Sequence, residues 1–311
     1  MTFITIHHSN HKLINMKTNI FSMLITLTLA FQIHAQQFNQ EISNEGEMPY
    51  LLGKIDKQGL EGENYKSWFT TNYDSYQPNS ELINTLTTEL KNYTITLFLG
   101  TWCGDSQQEV PKLYKVLEAC DFPMEQLTVI AVSRQADMYK QSPQHEEVGL
   151  NIHRVPTIIF YKNGDEVNRI IEHPIKTFEE DILNIITVND YKSNYQIVTA
   201  IDNILKKKGI KGLKQKSKKL AKTFESIVSS MFELNTYGRV LYSTNRIDEA
   251  IAVFRFNTTL FPNEPRTFMS LANTLGISGH KADAIKVLEE ALKLHPENND
   301  LKENLEVVKS N

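Results

Sequence analysis

The chain has little of the residues that staple or break a fold: 2 cysteines, 2 tryptophans, 10 prolines and 13 glycines in 311 residues. Two cysteines exclude a disulfide-built scaffold, and the low glycine and proline content excludes collagen-like and low-complexity chains. Neither sign of charge dominates. A formal net charge of −4, from 33 Lys and Arg against 37 Asp and Glu, gives no global reason to bind nucleic acid or an anionic membrane. Long apolar runs are missing, which excludes a polytopic membrane protein. What is left is globular material, 41% hydrophobic and 23% charged, long enough for at least two units with their own cores.

The first 35 residues read as an export signal, with translation starting as late as Met16. Lys17 supplies the positive charge, Ile20 to Phe31 the short apolar run, and Ala35 a small residue for cleavage. The alternative is a retained signal anchor. Cleavage predicts a mature chain starting near Gln36, exported to the periplasm or secreted, with no integral membrane span.

Residues 36–90 are polar and weakly patterned and read as a tail and helical lead-in, with a helix from Ser80 to Leu90. From Thr94 the period changes. Thr94–Leu99, Leu127–Val132, Pro156–Tyr161 and Val167–Glu172 read as strands. A helix is expected from Ser106, kinked at Pro111, and another over Phe178–Ile186. Asn163-Gly164 between the last two strands is a hairpin turn. This order predicts an α/β unit over 91–188, a mixed sheet covered by helices.

Beyond Asn189 no strand signal remains. Residues 189–233 read as a helical linker, with helices over Tyr195–Leu205 and Phe224–Leu234. Between them, Lys206 to Lys222 carries nine lysines and no acid. No aromatic interleaves them, so a solvated helix face is favoured over a nucleic-acid or membrane patch. Residues 234–311 repeat: Leu234, Tyr237, Gly238, Leu241, Ala250, Phe254 and Pro262 recur 34 positions later as Phe268, Leu271, Ala272, Leu275, Ala284, Leu288 and Pro296. That period and pattern are tetratricopeptide-like and predict an all-α repeat region, closed by a capping helix over Asp300–Val308. A protein partner in the short groove of these repeats is one reading; mutual coverage of the helices is the other.

The chemistry concentrates at Trp102-Cys103-Gly104-Asp105-Ser106. A cysteine between a strand end and a helix start meets unpaired amides and the positive end of the helix dipole, which favour thiolate, the attacking form in disulfide exchange. Cys120 cannot pair with it: a helix of 17 residues separates the two by roughly 25 Å, and a disulfide needs Cα atoms within about 7 Å. The histidines show no metal-ligand spacing, so neither a metal nor a cofactor is expected.

Here the chain resembles the thioredoxin family over Thr94–Ile186. The resemblance rests on Trp102-Cys103-Gly104 after a hydrophobic strand, on Pro111, on Val155-Pro156-Thr157 and on the Lys162-Asn163-Gly164 turn. It implies a thioredoxin-like fold in which Val155-Pro156 is cis and faces the cysteine. With Trp102, Gly104 and Asp105, these two residues would contact an extended client peptide. Two departures stand out. Ser106 occupies the place of the family's resolving thiol, and Leu97 that of a buried acid; Asp105, His153 and Arg154 are candidates for moving the proton instead, or are surface residues without that part. With the repeats, the pattern looks like exported thioredoxin-family proteins of Gram-negative bacteria. The activity expected is monothiol exchange: Cys103, with Ser106 beside it, forms mixed disulfides with client proteins that carry cysteines or disulfides, and an external thiol reductant resolves them. The alternatives are a non-catalytic binding scaffold and a thiol oxidised to sulfenic acid.

Overall fold

The computed structural model describes residues 38–187 and 191–310. The expected signal segment, residues 1–35, lies outside the described residues.

Six strands form one mixed sheet in the order β1-β2-β4-β3-β5-β6. They are β1 (Gln40–Ile42), β2 (Tyr50–Ile55), β3 (Thr94–Leu99), β4 (Leu127–Ala131), β5 (Thr157–Lys162) and β6 (Asp165–Ile171). Strands β3 and β4 run parallel, with Leu97 opposite Val129; β3 pairs antiparallel with β5, Leu97 opposite Ile158. The parallel pair needs a crossover, and α4 (Gly104–Ala119) provides it. Alternation along β3 separates two cores. Ile95, Leu97 and Leu99 face the larger one with Val110, Leu113 and Leu117 of α4, while Phe98 faces a smaller one with Ile130, Val132, Ile152 and Val155.

Strands β1 and β2 correct the expectation of a tail before residue 80. Leu51, Ile55, Leu60, Tyr65 and Phe69 are all buried in the larger core, contributed by β2, by the helices α1 (Lys57–Leu60) and α2 (Lys66–Ser75), and by the N-cap of α2, Tyr65. The next helix, α3, spans Ser80–Glu89, and its cap is Asn79, whose side chain accepts from the amides of Glu81 and Leu82.

Helix α4 starts at Gly104 rather than Ser106, with Cys103 as its extended N-cap residue. It continues through Pro111. The carbonyl of Gln107, which a residue other than proline would have bonded, accepts instead from Asn72 Nδ2 of α2 at 3.0 Å. The helix α5 (Phe178–Thr187) closes this α/β part.

Six helices follow: α6 (Gln196–Phe224), α7 (Phe232–Ser243), α8 (Ile247–Leu260), α9 (Pro265–Ile277), α10 (Lys281–Leu294) and α11 (Asn299–Ser310). The helix expected over Phe224–Leu234 is not formed. Phe224 ends α6 and Phe232 begins α7, with turns between them. The lysine-rich stretch is the solvated helix face favoured for it, all nine lysines exposed, but it lies within α6 instead of joining two helices. Gly209 breaks α6 with φ 59° and ψ −167°, a conformation that glycine reaches without a Cβ clash. Helices α8 and α10 begin 34 residues apart. Gly238 of α7 lets α8 approach, since a Cβ there would lie 2.5 Å from Cε1 of Phe254. The sheet and the helices belong to one compact unit beginning at Phe38.

Candidate functional site

Residues 100–106 leave β3 and enter α4 through a tight turn. The Cys103 amide donates to the Gly100 carbonyl at 2.8 Å, and the Cys103 carbonyl accepts from the Gln107 amide at 2.9 Å. Trp102 folds back over Gly100, where a Cβ would meet the indole at 2.6 Å, and its Nε1 donates to the Val132 carbonyl at 2.9 Å. The ring is therefore held flat beside the half-buried cysteine, and the turn needs glycine at 100.

Opposite the sulfur stands the loop before β5. Its Val155–Pro156 peptide is cis, and the Cys103 thiol donates to the Val155 carbonyl at 3.3 Å. Asp105 Oδ2 is 3.8 Å from the sulfur, and Gly104 and Asp105 are exposed. The sequence-predicted residues Trp102, Cys103, Gly104, Asp105, Val155 and Pro156 thus meet at one place. Ser106 lies beneath them, 0% exposed, and its hydroxyl accepts from the Gly100 amide at 3.2 Å. Its bond serves the turn and not the thiol. Cys120 caps the other end of α4, buried, with its thiol pushed up to about 11 by that burial.

The two proton carriers suggested beside the loop face elsewhere, and His153 is no surface residue. It is 1% exposed, held down to about 3 by burial, and packs edge-on against Tyr195 and Tyr237 of the helical region. Its Nδ1 lies 3.2 Å from the Asn151 carbonyl, so that nitrogen carries the proton. Arg154 spans the two parts of the molecule. It pairs with Glu172 at 3.1 Å, donates to the Phe232 carbonyl at 3.1 Å and lies 4.8 Å from the Tyr195 ring centre. Burial pushes the Glu172 carboxyl up, and the Arg154 charge opposes that.

Sequence reasoning placed a connection between β4 and β5 but missed what holds it. Residues 133–155 form no helix or strand and are held by α7: Gln141 Nε2 donates to the Ser243 carbonyl at 3.0 Å, and Arg239 stacks 4.3 Å above Tyr139. Lys140, inside this connection, is 5% exposed, and its amine donates to the His153 carbonyl at 2.8 Å. Nothing local marks it, because its burial comes from segments distant in sequence.

Among the described residues, no group of three or more His, Cys, Asp or Glu could hold a metal ion, and no helix is long and apolar enough to cross a membrane. The geometry gives a single half-buried thiol at a helix start, opposite a carbonyl of a cis-proline loop, with no second thiol beside it. Such a sulfur can attack a disulfide or electrophile that reaches it from solvent. No protein-family model matches the chain. A stretch of 88 residues is 30% identical to a formamidopyrimidine-DNA glycosylase of Wolbachia pipientis subsp. Culex pipiens (strain wPip), covering 27% of this chain and 32% of that protein. The chain therefore spans about a third of the length of this curated relative.

Proposed function

We propose that the chain is an exported thioredoxin-like monothiol protein with C-terminal tetratricopeptide-like repeats, and that Cys103 exchanges with client disulfides. One observation carries the reading: Cys103 is the N-cap residue of α4, and its sulfur lies 3.3 Å from the Val155 carbonyl of a cis Val155–Pro156 peptide. The mixed sheet, with its parallel β3 and β4 flanking the α4 crossover, and the 34-residue spacing of the helix pairs support the two-part assignment. In the exchange, the Cys103 thiolate attacks one client sulfur, the Cys103–client bond forms, and the client's other sulfur leaves as thiolate. With Ser106 engaged by the backbone, a second thiol from outside must break the adduct.

A binding scaffold is the second reading. The two atoms within reach of the sulfur, the Val155 carbonyl oxygen and an Asp105 carboxylate oxygen, are both acceptors, and Leu97 at 0% exposure offers no acid. The glycosylase match covers too little of that enzyme to bring its activity here. A pull-down without reductant, wild type beside Cys103→Ala, separates the readings. Partners released from the wild type by dithiothreitol and missing from the variant support exchange; identical partners with both, none released, sink it.

A further inference from the structure

Lys140 combines three unfavourable features. Its backbone sits at φ 59°, the left-handed region that a lysine rarely adopts. Its side chain is 5% exposed, which buries an amine that ordinarily stays in water. Its nitrogen donates to a neutral acceptor, the His153 carbonyl, and no carboxylate pairs with it among the described residues. An aliphatic side chain at the same backbone angle would bury no charge but would take the donor from the His153 carbonyl, so the fold gives a reason for a donor here and none for a charge.

The position supplies one. The Lys140 amine is fixed to the carbonyl of residue 153 and the Cys103 thiol to that of residue 155, so both groups hang on the same three-residue stretch of the cis-proline loop. We propose that Lys140 is a positioning residue of the thiol site, its ammonium acting as the counter-charge that favours the thiolate of Cys103. This deepens the thiol-exchange reading and rests on it.

The charges around the amine agree. Arg154 on the loop and Arg239 on α7 work against its charged form; Cys103 at the start of α4 and Glu172 at the end of β6 work for it. Two further neighbours are the His153 ring, which the Lys140 charge helps to keep neutral, and Tyr139, whose ring centre lies 5.4 Å from the nitrogen. Burial brings the amine down to about 7, so it gains and loses its proton around neutrality. The counter-charge is then present below that pH and withdrawn above it.

The test is the rate at which iodoacetamide alkylates Cys103 as a function of pH in the full chain. Cys120, buried and pushed up to about 11, stays silent below a pH of about 9. A displacement of about one pKa unit, the scale on which a partly buried unit charge acts at an effective dielectric of about 20, changes a thiolate population about tenfold. Lys140→Met is therefore expected to slow alkylation about tenfold at slightly acid pH, the gap closing as pH rises through the amine's titration. Lys140→Arg, charged throughout, should keep the fast rate at high pH. An unchanged profile in a natively folded Lys140→Met overturns the proposal. Should that variant not fold, the wild type decides: a profile with one inflection and no second one near neutrality overturns it equally. No client enters the assay, so its failure is distinct from a pull-down that finds no covalent partners.

Discussion

Restoring a second thiol at position 106 is the sharpest test of the site's geometry. Ser106 is wholly buried in the first turn of α4, three residues after Cys103 and so on the same side of the helix. Ser106→Cys exchanges the hydroxyl that accepts from the Gly100 amide for a weak sulfur acceptor. The loss is about 1 kcal/mol, too small to unfold the turn. The gain is kinetic and thermodynamic. Breaking the Cys103–client bond becomes intramolecular: the introduced sulfur bonds to Cys103 and the client leaves as thiolate. Effective concentrations start on the order of millimolar for flexible tethers and rise by orders of magnitude for oriented groups. With about 1 M as an intermediate value against ~1 mM external thiol, release is favoured about 1000-fold, or roughly 4 kcal/mol. Acid-quenched samples, alkylated and run without reductant, should show the client adducts of the wild type reduced at least about tenfold in Ser106→Cys. The released variant, with its Cys103–position 106 disulfide closed, should also be lighter by two hydrogens than its own dithiol form. If the adducts persist undiminished while the new thiol is freely alkylated in the native protein, that position does not face the sulfur, and the geometry argued for the site fails.

Two further outcomes follow from burial and packing. His153 is held at about 3 in the folded protein against 6.5 unperturbed, so between these values the unfolded chain binds the extra proton and stability falls as pH falls. His153→Phe keeps a ring against Tyr195 and Tyr237. It should remove about 2 kcal/mol of the stability lost between pH 6.5 and 5, measured by urea unfolding at each pH; an unaltered pH slope would refute the assignment. Gly238→Ala drives a methyl to 2.5 Å from the Phe254 ring and should cost about 1–3 kcal/mol. Gly276→Ala, with open space around its Cβ inside α9, should instead stabilise by about 0.5–1 kcal/mol, and equal effects of the two would contradict the tight α7–α8 contact.

Legibility in the sequence followed locality. Strand β3 was read with its bounds, and β4, β5 and β6 to within two residues, because each is a run of apolar or β-branched residues ended by a turn. Strands β1 and β2 escaped for stated reasons. β1 is three residues long and largely exposed, and β2 carries Gly53 at φ 81° in its middle, which breaks the pattern of a strand while the sheet tolerates it. The helix expected over Phe224–Leu234 failed because two apolar faces, the end of α6 and the start of α7, fell into register across a turn. Spacing cannot tell one helix from two.

The site divides in the same way. Trp102, Cys103, Gly104 and Asp105 are contiguous, and Val155-Pro156 is a dipeptide, so short strings of sequence carried them. Ser106 was legible as a position but not as a role, since its acceptor function depends on where the Gly100 amide points after β3 ends. Lys140 was invisible. A lysine between Tyr139 and Gln141 reads as surface, yet Arg239 and Ser243 dock on the neighbouring Tyr139 while the lysine's own amine turns in to the residue 153 carbonyl. On the proposed reading the helical region bears on the thiol as well: by covering the β4–β5 connection, it would create the low-dielectric setting in which one amine acts on one sulfur.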